Sequence, residues 1–162
     1  MVRLSSDRIT VLHSDRDLYE MHSREVTRFA ASLVGPSDAA DVVHDAMAAL
    51  IASAALAGAD NPRALMYRAV LARAKTVQRS AFRRRGRERR YAENVVSADP
   101  EVIPEVARAV ARLSPQQRAC IFLTYWEDLT PRQVGEQLSI AEGTVKLHLA
   151  RARQNLREVL DD

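Results

Sequence analysis

The chain has one cysteine, five glycines, one tryptophan, four tyrosines and three phenylalanines in 162 residues, and each scarcity removes a class of protein. A lone Cys120 excludes an internal disulfide framework. The four histidines lack cysteine or carboxylate companions at ligand spacing, so no metal site is expected. There is no glycine-rich phosphate loop and no nucleophile motif, which argues against an enzyme and against a bound cofactor. No apolar run is long enough to span a membrane, and the opening MVRLSSDRITVLHSD lacks the apolar core of a secretion signal. No membrane insertion is expected, and the expected compartment is the cytoplasm. Runs of alternating β-branched residues are also missing. What remains is rich in Ala, Leu and Val, the composition of an all-α protein.

Net charge is modest, but its distribution is uneven. Residues 60–91 carry 11 Lys/Arg against 2 Asp/Glu, whereas residues 1–59 carry 5 against 8 and residues 92–162 carry 8 against 11. A basic segment between two mildly acidic ones suggests a polyanion-binding surface flanked by regions with other partners.

Helical periodicity divides the chain. Leu18, Met21, Val26, Phe29, Ala30 and Leu33 form the apolar stripe of a first helix over Asp15–Val34, stopped by Gly35-Pro36. Ser37 is placed to cap a second helix, with Ala40, Val43, Met47, Leu50 and Ile51 inward and Asp38, Asp41, His44 and Asp45 on or beside the opposite face. Gly58 closes it. Asn61-Pro62 then opens a third helix whose stripe is Leu65, Met66, Val70, Ala74 and Val77 and which runs into RSAFRRRGRERRY. Residues 92–104 are acidic, hold prolines 100 and 104, and exceed the usual loop length inside a compact domain. They read as a flexible linker between domains at 14–91 and 105–162.

The C-terminal domain is expected to hold four helices, at about 105–113, 115–127, 131–138 and 140–160. Three capping boxes mark helix starts: Ser114 with Gln117, Thr130 with Gln133, and Ser139 with Glu142. The last two helices, joined by a few residues around Ser139 with Gly135 at their crossing, describe a helix-turn-helix. If Val145, Leu149, Ala152 and Leu156 face inward, then Glu142, Thr144, Lys146, Leu147, His148 and Arg151 lie on or near the outer face. There they could read bases or hold phosphates. Cys120, inside ACIFLTYW, is expected to pack in the core.

Residues 113–160 resemble the fourth conserved region of bacterial sigma factors: Leu113, Arg118, Tyr125, Leu129, Thr130, the run Gly143-Thr144-Val145-Lys146, and Arg151-Ala152-Arg153 all fit its pattern. Upstream, SDAADVVHDAMAAL and NPRALMYRAVLARAKTVQRSAFRRR are similar to the second conserved region. The order and short linker resemble the smallest group, the extracytoplasmic-function sigma factors. That resemblance implies a promoter-specificity subunit of core RNA polymerase that recognises promoter DNA. Asp41, His44 and Asp45 would meet the clamp helices of the largest polymerase subunit, and the flap of the second-largest subunit would be a further contact. Asn61, Arg63, Arg68, Arg73, Lys75 and Arg79 would bind the downstream promoter element. Thr130, Arg132, Glu142, Gly143, Thr144, Lys146, His148 and Arg151 would serve the upstream element. Family members are often held inactive by an anti-sigma factor.

The sequence departs from the family pattern at His44, where glutamine is usual, and at Leu65, Ala72 and Thr76, where an aromatic, an asparagine and an aspartate are common. Residues 83–90 can bind phosphate but cannot specify sequence. The acidic linker would thread the polymerase cleft. The other reading of the helix-turn-helix is a stand-alone regulator that works without polymerase. Gly143, in the first turn of the recognition helix, would let backbone and phosphate approach.

Overall fold

The computed structural model describes residues 14–88 and 109–160, and all regular structure among them is helical. Helix α1 spans Asp15–Val34 and starts at a complete capping box, in which the Asp17 N–H donates to Ser14 Oγ and the Ser14 N–H donates to the Asp17 carboxylate. Leu18, Val26, Phe29, Ala30 and Leu33 are buried along it, but Met21 is 56 % exposed, outside the expected stripe. At Gly35 the backbone takes φ +89°, a conformation that glycine adopts without steric cost. The chain therefore reverses in one residue, and α2 (Pro36–Ala52) begins at the proline rather than behind a Ser37 cap. The buried face of α2 is Ala39, Val42, Val43, Ala46, Met47 and Leu50. Ala40 and Ile51, expected inward, are exposed, and the helix ends before Gly58.

Asn61 Oδ1 accepts the Ala64 N–H at 2.9 Å and starts α3 (Pro62–Glu88), whose Met66, Tyr67, Val70, Leu71 and Ala74 are buried. Leu65 and Val77 are only partly covered. Helices α1, α2 and α3 pack pairwise into a three-helix unit.

In the C-terminal half, residues 109–111 are helical and lead to α4 (Pro115–Ile121), which has the expected Ser114–Gln117 box. The helix does not continue as α to Glu127. At Phe122–Trp126 it widens into a π-turn, with the Glu127 N–H reaching the Phe122 carbonyl at 3.2 Å. Helices α5 (Pro131–Leu138) and α6 (Glu142–Leu160) follow. The expected linker at 92–104, with the first four residues of the helix expected at 105–113, lies outside the described residues.

The two helical modules share one core. The Phe29 ring lies 4.7 Å from Tyr67 and 5.5 Å from Phe122, so an α1 side chain is clasped by an aromatic from each half. Cys120 is fully buried beside this junction, and desolvation pushes its thiol up to about 11, an inert packing residue as expected. Arg118 closes the seam from the side, donating Nη1 to the Leu33 carbonyl at the end of α1 and Nε to the Val110 carbonyl.

Candidate nucleic-acid interface

The turn between α5 and α6 is built by backbone. Thr130 and Gln133 form the second capping box and start α5, so the Thr130 hydroxyl is committed to a cap. Ser139 does not cap α6. It takes the left-handed conformation, φ 55° and ψ 46°, and ends α5, and the first residue of α6 is Glu142. The third capping box of the sequence is therefore not formed. A left-handed residue is what a helix needs to stop and turn sharply, and that requirement overrides the local Ser-x-x-Glu pairing. The Ile140 N–H returns to the Gly135 carbonyl at 2.9 Å, and a Cβ on Gly135 would stand 2.6 Å from the Ile140 oxygen. The crossing is thus possible only without a side chain at 135.

Val134, Leu138, Val145, Leu149 and Ala152 are buried between the two helices and α4. This leaves Glu142, Gly143, Thr144, Lys146, Leu147 and Arg151 exposed on α6, with Arg132 exposed on α5. Lys146 pairs with Glu142 at 2.7 Å and Arg132 with Glu136 at 3.1 Å, both one helical turn apart on the surface. Such pairs are weak, about 0.3–0.5 kcal/mol, and yield readily to a phosphate or a base edge. Nothing lies within 4 Å of a Cβ placed on Gly143, so the fold does not require glycine there.

His148 departs from the rest. It is partly buried, and its Nδ1 has no partner. Burial, followed by the charges of Arg151 and Lys75, lowers its proton affinity. Protons then bind the unfolded chain before the folded one, so stability is full above the ordinary histidine value of about 6.5 and falls as pH drops through it. Urea midpoints measured across that window should fall with acidification, and His148→Gln should flatten the fall. An unchanged curve would place the ring in solvent.

The residues expected at the downstream element all lie at the start of α3 or along it, but several are engaged inside the molecule. Asn61 is the cap of α3. Arg63 donates Nε and Nη2 to the two carboxylate oxygens of Glu25, at 2.8 and 2.9 Å, and Nη2 also to Glu127 at 3.2 Å, with its guanidinium over the Tyr67 ring. Burial alone would raise the Glu25 carboxyl, but hydrogen bonds from Arg63 and His22 outweigh it and hold it below the ordinary range. Arg68 donates to Ser139 Oγ, and Lys75 to Gln116 Oε1. Desolvation and the nearby Arg79 lower the Lys75 ammonium. Arg79 is exposed.

On α2, Asp41, His44 and Asp45 are exposed together and line an open cleft against α3 with Arg73 and Thr76. Asp45 is paired across that cleft with Arg73 at 2.6 Å. Sequence reasoning missed the Glu25–Arg63–Glu127 bridge and the seam-closing role of Arg118. Glu25 and Glu127 stand 38 and 64 positions from Arg63, and no periodicity connects them.

Comparison with known proteins agrees with this arrangement. Residues 104–156 match the sigma-70 region 4 family model. ECF RNA polymerase sigma factor SigL of Mycobacterium tuberculosis is 31% identical over 165 residues, covering 91% of this chain and 89% of that protein. RNA polymerase sigma-E factor of Streptomyces antibioticus is 38% identical over 53 residues, covering 33% of this chain and 29% of that one. Two solved structures share the fold at a TM-score of 0.59. The sigma factor RpoE in complex with the anti-sigma factor NepR, from Bartonella quintana, is 23% identical, with 90% of this chain and 96% of that one aligned. The PhyRSL–NepR complex from Sphingomonas sp. Fr1 is 20% identical, with 90% and 88% aligned. With its helix-turn-helix in place and a relative of this identity along nearly its whole length, the chain belongs to the ECF RNA polymerase sigma factors.

Proposed function

We propose that the chain acts in the cytoplasm as a non-enzymatic, dissociable subunit that binds core RNA polymerase, recognises a promoter and directs initiation. Its parts divide the work as domains 14–91 and 105–162. Asp41, His44 and Asp45 meet the clamp helices of the largest subunit, and the C-terminal domain meets the flap of the second-largest. The α3 cations Arg68, Arg73, Lys75 and Arg79, with Arg63 once released from its carboxylates, grip the downstream element. The first turns of α6, with Glu142, Gly143, Thr144, Lys146 and Arg151, enter the major groove at the upstream element, flanked by Thr130 and Arg132 at the start of α5 and by the exposed edge of His148. The observation that carries this reading is the α5–α6 crossing at Gly135, which presents an uncluttered, charged helix start to solvent. An anti-sigma factor is a further partner, supported by the two fold relatives solved with NepR.

Run-off transcription with core polymerase over a promoter library tests the whole. Transcripts should require the chain, and the double charge reversal Asp41→Lys, Asp45→Lys should abolish core binding while circular dichroism stays helical. Specific DNA binding by the free chain with no transcript would point instead to a stand-alone regulator. Core binding that survives the reversal would move the polymerase interface off α2.

A further inference from the structure

One place where the helices meet is short of negative charge. Lys75 of α3 is partly buried and donates to the side-chain oxygen of Gln116 in α4, and among the described residues no carboxylate pairs with it. That bond engages the acceptor of the Gln116 amide and leaves its Nε2, a donor buried from water, without a partner. His148 of α6 lies within reach of the same ammonium charge, and its Nδ1 is likewise buried and unpartnered. Desolvation, then Arg79, lowers the Lys75 ammonium, and burial, then Arg151 and Lys75, lowers the His148 imidazole. The Cys120 thiol is the one group of opposite sense beside Lys75, and burial keeps it protonated, pushed up to about 11.

Buried polar groups are nearly always paired, so two orphaned nitrogens beside a cation without a counter-ion mark a place where something binds. Water would satisfy the nitrogens but leave the charge uncompensated, whereas an anion does both. A carboxylate presents two oxygens and a phosphate three, which matches an ammonium, an amide and an imidazole with its proton on Nδ1. We propose that Lys75, Gln116 and His148 hold the terminal phosphate of a small oligophosphate, inorganic or nucleotide, with Arg79 and Arg151 at the edge to meet the phosphates that follow. The donors come from α3 on one side and from α4 and α6 on the other, so the ligand ties the two modules together. The site goes beyond the promoter reading, because it takes a free ligand rather than a strand.

Inorganic tripolyphosphate is titrated into the full chain by calorimetry, and the urea midpoint is followed against sodium chloride of equal ionic strength. A ligand that binds only the folded chain raises that midpoint as its concentration grows. Lys75→Gln, Gln116→Leu and His148→Leu are compared after circular dichroism has shown each to be helical without ligand. Lys75→Gln is expected to weaken binding about tenfold, the loss of one charged hydrogen bond, with smaller losses in the other two. Arg28→Gln, which removes an exposed cation of α1, is the control and should change nothing. No rise in the midpoint of the natural chain would overturn the site, as would an equal loss from Arg28→Gln, which would mean that net charge alone attracts the ligand. A single-stranded oligonucleotide of about 20 nucleotides is the last comparison. If it binds through Lys75 and His148 while tripolyphosphate does not, these groups contact a strand and the proposal is wrong.

Discussion

Gly135→Val should remove upstream-element binding and destabilise the C-terminal module together. The added Cβ would lie 2.6 Å from the Ile140 carbonyl oxygen, a backbone atom with no flexible end to swing away, and 3.5 Å from the Glu142 nitrogen. Overpacking of this kind costs about 1–3 kcal/mol, and relieving it means pushing α6 away from α5. The start of α6 would then lose its alignment with the groove even in molecules that still fold. Urea unfolding and binding to the selected promoter, measured side by side, should both fail. Gly143→Ala is the counterpart: nothing lies within 4 Å, so α6 should gain up to about 1 kcal/mol in stability. If Gly135→Val retained promoter affinity, the crossing would not be what orients α6.

Phe29→Ala should cost about 3–5 kcal/mol, the range for emptying a large buried aromatic site. The ring is fully buried and touches Tyr67 of the first module and Phe122 of the second. Its removal opens a cavity where the halves meet, so denaturant unfolding should lose stability across both. A loss of less than about 1 kcal/mol would mean that the site collapses around the gap, or that the ring does not bridge the modules.

Comparing these positions shows which features were legible in the sequence. The boxes at Ser114 and Thr130 could be read because donor and acceptor are three residues apart and both are followed by proline. Gly135 could be read because two helix signals left too few residues for anything but a tight crossing. Ser139 misled because the same Ser-x-x-Glu spacing fits a helix start, whereas the backbone used the serine as a left-handed stop. The inward face of α2 was misplaced by one residue at Ala40, since alanine-rich turns give periodicity little contrast. The π-turn left no signal, because it rests on the register of a backbone bond, the Glu127 N–H to the Phe122 carbonyl, which follows no pattern of residue type. The cations of α3 are legible in the sequence as charges, but their partners are not. Ser139 lies 71 positions from Arg68 and Gln116 lies 41 from Lys75, distances at which only the folded chain brings residues together.

The π-turn has an optical consequence. It leaves Trp126, the only tryptophan, 66% exposed and stacked on Phe122 at 6.2 Å, one residue before Glu127. Any displacement of the C-terminal module that draws Glu127 off Arg63 must move that indole relative to the shared core. The chain thus carries an intrinsic fluorophore beside its own seam, and loss of packing between its halves in denaturant can be followed by emission without attaching a dye.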